Sequence, residues 1–379
     1  MAHPDDRIPA FDGLRALAAL AVVCLHSAQL GIPLLTGGAV DTAAARVAMS
    51  GWIGVDLFFV LSGYLITGIL LDGRGASGYF RSFYARRTLR IFPLYYAALA
   101  ALLVFVPLVL PALIRDSVHP TAGQSWEWMY LTNWRIAWAG TWDAVPTHTG
   151  HFWSLAVEEQ FYLCWPLLVW WLGPRGTKKL SIGLLAAAPV LRALLLWRGV
   201  SPVAVFVSTP TRIDALAAGA LLACLARDQG GLDAVRPMAR RAGVAAAATL
   251  IVIVLRVGYL EQNHPLVQIV GFSALAVGFA AVVALAGTQR WLGHPVLAYL
   301  GRRSYALYVV HPIIIALADR ARVARGLPLV AGSGVLRQGA FLCAVAAGTV
   351  IVAEISWRLW ESPWLGLKRY APRPLRVGR

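Results

Sequence analysis

Charge is what this sequence has least of. Only 14% of its 379 residues are Asp, Glu, Lys or Arg, against 59% hydrophobic residues and a mean hydropathy of +0.65. A soluble domain of this size cannot cover its surface with so few charges, which excludes that class. Acidic residues are scarcer still, 18 against 34 basic ones, for a net charge of +16. In a soluble protein that excess suggests nucleic acid. Here most Lys and Arg fall in short loops and at helix ends, as topology signals against an anionic leaflet, and no nucleic-acid partner is expected. Cysteine is also sparse: Cys24, Cys164, Cys224 and Cys343 stand far apart in apolar runs with no C-x-x-C or Cys/His pattern. No metal site or disulfide framework is expected from them. Low-complexity linkers, long polar inserts and repeats of solenoid period are absent too, so one membrane domain over residues 1–379 is expected, with a basic tail at 360–379.

What the sequence does contain is apolar runs of roughly 17–23 residues, enough to cross a hydrocarbon core of about 30 Å. The expected fold is an all-α polytopic membrane protein. It is a single bundle of about ten transmembrane helices, at approximately 12–30, 52–71, 90–110, 152–172, 180–197, 203–225, 243–259, 266–287, 296–317 and 338–358. The first apolar run, Leu14 to Leu25, follows Asp5, Asp6 and Asp12 and lacks an A-x-A-like site, so an uncleaved first span is expected.

Placing both termini in the cytoplasm gives the inner segments most of the positive charge. They receive Arg74, Arg81, Arg86, Arg87 and Arg90; Arg175, Lys178 and Lys179; Arg227, Arg236, Arg240 and Arg241; and the tail with Lys368, Arg369, Arg373, Arg376 and Arg379. The outer loops receive Arg46, Arg115, Arg135 and Arg198, and one outer segment, with Arg320, Arg322 and Arg325, breaks the pattern. The longest outer segment, about 111–151, concentrates Trp126, Glu127, Trp128, Trp134, Trp138, Trp142, Asp143, His148 and His151. That composition suits an interfacial aromatic belt, or a platform stacking on sugar rings.

A charge at mid-membrane costs about 2.5–3.5 kcal/mol on insertion scales, so polar residues inside spans are candidates for function. Arg15 and His26 are eleven residues apart, three turns plus about 20°, and so share one face of the first span about 16 Å apart. Histidine suits removal of a hydroxyl proton near neutral pH; a core histidine bonded to a carbonyl is the alternative. The second span carries Asp56, and its Ser62-Gly63 fits close helix packing. Arg87 and Arg90, with Arg86, form a clamp that either grips phosphate or anchors a helix end. His151, Ser154, Glu158 and Tyr162 follow steps of three, four and four, hence one stripe; it can hold a polar acceptor, orient a catalytic histidine or be structural. Arg212 and Asp214 form a charged couple, neutralising each other or serving a site. His311 lies on the ninth span.

The strings RIPAFDGLRALAAL, GVDLFFVLSGYLIT, RRTLRIFPLYY, HFWSLAVEEQFYL, TRIDALAAGALLA, GRRSYALYVVHP and SWRLWESP, in this order, resemble the acyltransferase-3 family of bacterial integral-membrane O-acyltransferases. The resemblance covers nearly the whole chain. It implies that His26 is the leading catalytic residue, with Glu158 and His151 beside it. It implies that Arg87 and Arg90 meet acyl-CoA, where Arg15 is expected with them; Asp56, Trp153, Ser154, Tyr162, Arg212, Asp214 and His311 are expected to contribute to substrate binding. Around His311 this chain reads Val-Val-His-Pro-Ile, where Leu-Trp-His-Trp-Pro is more usual. The implied activity moves an acyl group, expected to be acetyl, from cytoplasmic acyl-CoA to a hydroxyl of a carbohydrate-type acceptor, such as a cell-envelope glycan or glycosylated metabolite. Acyl-CoA is a co-substrate, no bound cofactor is expected, and the implied location is the bacterial cytoplasmic (inner) membrane. A transporter or flippase of a lipid-linked sugar is the rival class.

Overall fold

The structure, a computed structural model, describes residues 8–31, 38–109, 123–146, 148–324 and 334–370. Arg115, Arg325 and the tail residues Arg373, Arg376 and Arg379 lie outside them. Regular structure among the described residues is entirely helical. The main elements are α1 (Pro9–Gly31), α2 (Ala39–Met49), α3 (Ile53–Asp72), α4 (Tyr79–Ala100), α5 (Trp153–Trp197), α6 (Thr209–Asp228), α7 (Leu232–Val257), α8 (Phe272–Leu285), α9 (Ser304–Ala324) and α10 (Gly334–Ser356). Among the described residues, eight helical segments are long and apolar enough to cross a membrane.

The difference from the expected ten has local causes. The expected fourth and fifth spans form one helical run, α5, interrupted at Gly173 with φ 66° and ψ −176°. The chain reverses there. Gln160 meets Thr209 at the start of α6, Lys178 meets Asp228 at its end, and Arg192 is back at Thr211. Only glycine adopts that backbone cheaply. The expected ninth span, 296–317, begins later than its hydropathy suggests. Pro295–Arg302 is a separate helix, started by Pro295 and capped by His294, and α9 starts at Ser304. The Asp319, Arg320 and Arg322 of α9 keep it out of the eight.

A very close contact joins α3 to α6. A Cβ at Gly63 would sit 2.0 Å from the Leu216 carbonyl oxygen, and one at Gly219 would sit 2.0 Å from that of Val60. Small residues here let two backbones touch, as the sequence suggested for Gly63. Replacing Gly63 by Val must push the helices apart, and overpacking of this kind costs about 1–3 kcal/mol or more. The expected outcome is a marked loss of monodisperse protein on size-exclusion chromatography. Gly183→Ala, where a Cβ meets nothing within 4 Å, should behave as the parent.

Behind this contact lies a buried charge network. Arg212 pairs with Asp56 at 2.7 Å, and Arg192 pairs with Asp214 at 2.8 Å. Arg192 also donates to Ser273 Oγ (2.7 Å) and the Thr211 carbonyl (2.5 Å). Arg212 is wrapped by rings, nearest that of Phe272 at 4.1 Å. Arg212 and Asp214, read as a couple in the sequence, thus pair with other helices instead. Two residues apart on a helix, they project about 200° apart and cannot face one another.

Candidate active site

The two ends of α1 open on different spaces, because eleven residues keep a face but advance about 16 Å. At the Arg15 end lies a mouth of about 580 Å³ lined by Arg15, Arg87, Arg90, Arg227, Arg302 and Lys368, with Asp12 and Asp72 among them. Deeper lies a chamber of about 100 Å³ that shares Arg15, Arg87 and Arg90 with the mouth. At the His26 end lies a chamber of about 350 Å³ lined by His26, Gln29, Asp143, His151 and Gln262 among the rings of Trp52, Trp142 and Trp153. The two chambers share Val55 and Tyr308 as walls. We call them the arginine chamber and the histidine chamber.

In the arginine chamber, Arg15 is held by Asp12 at 3.0 Å. The Arg87 guanidinium lies over the Tyr162 ring, 5.5 Å from its centroid. Ser62 Oγ donates to Glu158 Oε1 in a short hydrogen bond and accepts from the Tyr162 hydroxyl at 3.0 Å. Glu159 lines the same walls.

The histidines form a second unit. His311 is fully buried, and its Nδ1 lies 2.7 Å from the Tyr308 carbonyl oxygen. A carbonyl can only accept, so Nδ1 carries the proton and Nε2 of the neutral ring is an acceptor. That nitrogen lies 2.8 Å from His26 Nδ1, so His26 donates from Nδ1 and is left with an unprotonated Nε2. The rings stack at 5.0 Å. His151, 5.3 Å from His311 by ring centroids, sits 3.3 Å through Nε2 from the Val309 carbonyl, which leaves its Nδ1 unprotonated. Between the chambers the Tyr308 hydroxyl donates to the His151 carbonyl (2.9 Å) and is 2.5 Å from Ser154 Oγ.

The structure therefore brings together Arg15, Arg87 and Arg90 with Ser154, Glu158 and Tyr162 in one chamber, and His26 with His151 and Trp153 in the other. The stripe from His151 to Tyr162 is divided between the chambers, since seven residues from His151 to Glu158 advance about 10 Å. Glu158 accordingly bonds Ser62 rather than a histidine. His311 is bonded to His26. Asp56, Arg212 and Asp214 belong to the buried charge network and line neither chamber. Three participants went unread: Ser62, set down to packing; Tyr308, three residues before His311; and Arg192, whose signal was an arginine inside an apolar span. Of the tryptophans in the long outer segment, Trp142 reaches the histidine chamber, whereas Trp138 is 92% exposed, as an aromatic belt requires.

An unprotonated imidazole nitrogen beside a polar, tryptophan-walled chamber can take a proton from a hydroxyl. A cluster of guanidinium groups at the opposite end can hold a phosphorylated ligand.

Known proteins resemble this chain over most of its length. The chain is 29% identical over 376 residues to the peptidoglycan O-acetyltransferase OatA of Listeria monocytogenes, covering 94% of this chain and 55% of that protein. It is 30% identical over 332 residues to the putative peptidoglycan O-acetyltransferase YrhL of Bacillus subtilis, covering 82% and 49%. To the O-acetyltransferase OatA of Staphylococcus aureus it is 28% identical over 403 residues, covering 98% and 60%. The chain thus spans about half to three fifths of the length of these curated relatives. No solved structure matches it. The family model of the acyltransferase domain matches residues 8–357, and the chain belongs to the acyltransferase-3 family.

Proposed function

We propose that this protein is a membrane O-acyltransferase moving an acetyl group from acyl-CoA, entering at the mouth, to a hydroxyl of a cell-wall glycan held in the histidine chamber. The observation that carries it is the polarity of the cavities. One end is walled by cations, the other by histidines and tryptophans, and only a small chamber lies between them. The mouth faces the cytoplasm of a bacterial cell, with the membrane the cytoplasmic one. Arg81 and Arg86 neighbour Arg87 and Arg90 in sequence, and Lys368 lines the mouth with that pair, in keeping with positive charge inside.

The size of the arginine chamber supports a short acyl group. Its volume of about 100 Å³ suits a short acyl group such as acetyl better than a long chain. The transporter alternative gains no support from relatives named as O-acetyltransferases. His26 Nε2 acts as general base on the acceptor hydroxyl, and the tryptophan faces stack on the glycan ring. The relatives named as peptidoglycan O-acetyltransferases support a glycan acceptor.

Kinetics in proteoliposomes test the donor assignment. A hydrogen bond to a charged group is worth about 1.5–3 kcal/mol, or roughly 10–150-fold. Arg87→Gln and Arg90→Gln should each raise KM for acetyl-CoA by that order with kcat little changed, and added salt should mimic the effect. An unchanged KM in both variants contradicts phosphate binding at this mouth.

A further inference from the structure

Ser62 sits one residue before the glycine that packs against α6, and it faces the other way. Gly63 meets Leu216, whereas Ser62 lines the arginine chamber. Its hydroxyl already directs its proton to Glu158 and receives a hydrogen bond from Tyr162 at 3.0 Å. A serine hydroxyl aimed at a carboxylate base is the arrangement that activates an oxygen nucleophile. Arg15, in the same walls, places positive charge where a tetrahedral oxyanion forms. The cavities pose a problem that such a nucleophile solves. The donor is too large for a chamber of about 100 Å³, and the acceptor sits beyond Val55 and Tyr308.

Resting on the acyl-transfer reading above, we propose that Ser62 is a covalent acyl carrier. Ser62 Oγ attacks the thioester carbonyl carbon. The C–O bond forms and the C–S bond breaks. The hydroxyl proton passes to Glu158 and on to the departing sulfur, which leaves as free thiol. In the second step the acceptor oxygen attacks the same carbonyl, a new C–O bond forms and the bond to Ser62 Oγ breaks. His26 Nε2 takes the acceptor's proton and sheds it to solvent in its own chamber, while Glu158 takes up a proton from solvent at the mouth and delivers it to Ser62 Oγ, so every group ends as it began. The donor stays on the mouth side, and the acceptor has only to extend its hydroxyl between Val55 and Tyr308 to reach the acyl group.

The test supplies labelled acetyl-CoA to the full chain in proteoliposomes without glycan, followed by peptide mass spectrometry. Label is expected on the Ser62 peptide of the parent, with an equal amount of free CoA. More is expected in His26→Ala, where discharge is slowed, and none in Ser62→Ala. Glycan transfer by Ser62→Ala should fall at least about 10²-fold. Ser62→Cys keeps a nucleophile and should carry its label as a thioester, removed by neutral hydroxylamine that spares the parent's ester. Glycan transfer at the parent rate by Ser62→Ala overturns the carrier while leaving acyl transfer intact. A parent that neither takes label nor transfers acetyl to any glycan overturns the donor reading, and the carrier with it.

Discussion

His26→Ala is expected to lower acetyl transfer to a glycan by about 10²–10⁴, the range for loss of a general base. With discharge of the acyl-enzyme slowed, KM for acetyl-CoA should fall along with kcat, leaving kcat/KM for the donor little changed. The effect is confined to chemistry because of where the side chain sits. His26 is half-buried in the wall of the histidine chamber, while the guanidinium groups line the mouth and the arginine chamber. Steady-state kinetics with varied donor at saturating glycan separate the two parameters. His26→Gln, which keeps polarity and much of the shape but cannot accept a proton, should fall as far. Turnover near the parent level in both variants removes His26 from the chemistry.

The second large effect belongs to His311, a positioning residue. The Tyr308 carbonyl fixes the proton on His311 Nδ1, and His311 Nε2 fixes the proton on His26 Nδ1. Without that acceptor the His26 ring is free to carry its proton on Nε2, the wrong nitrogen for a base. A wrong tautomer in a catalytic triad costs about 10⁴ in kcat, and His311→Leu is expected to cost on the order of 10²–10⁴ here. His311→Gln retains a carbonyl oxygen able to accept from Nδ1 and should recover a good part of the loss. Nitrogen NMR of histidine-labelled protein gives a readout that a purely structural role would not move. The His26 ring should report an Nδ1–H tautomer in the parent and a shift toward Nε2–H in His311→Leu. Equal loss in the Leu and Gln variants with an unchanged His26 tautomer rejects the assignment.

Much of this architecture was legible in the sequence because membrane helices obey two strong periodic rules, length and face. The spacing of Arg15 and His26 gave a shared face and an axial separation, and the two residues do open on spaces at opposite ends of α1. Arg87 and Arg90 are together, as three-residue spacing on a helix demands. What periodicity does not supply is which other helix stands at a given depth. Hence the stripe from His151 to Tyr162 reads as one site but serves two chambers, and Arg212 and Asp214 find partners on α3 and α5 that no local rule could name. The reversal at Gly173 was visible as two apolar runs but not as one helical run broken by a single residue. Ser62 was set down to packing because its neighbour Gly63 does pack. Only coordinates show that adjacent residues on α3 face a helix and a cavity.

The most direct test of the account is a sided transfer assay. The protein is reconstituted in one orientation, acetyl-CoA labelled in the acetyl group is sealed on the mouth side, and peptidoglycan fragments are supplied only on the histidine side. The account predicts labelled O-acetyl glycan outside, a matching amount of free CoA inside, and with His26→Ala a loss of about 10²–10⁴ in labelled glycan with no more CoA than one turnover supplies. Labelled glycan formed only when donor and acceptor share the histidine side, or intact acetyl-CoA emerging there, would contradict it.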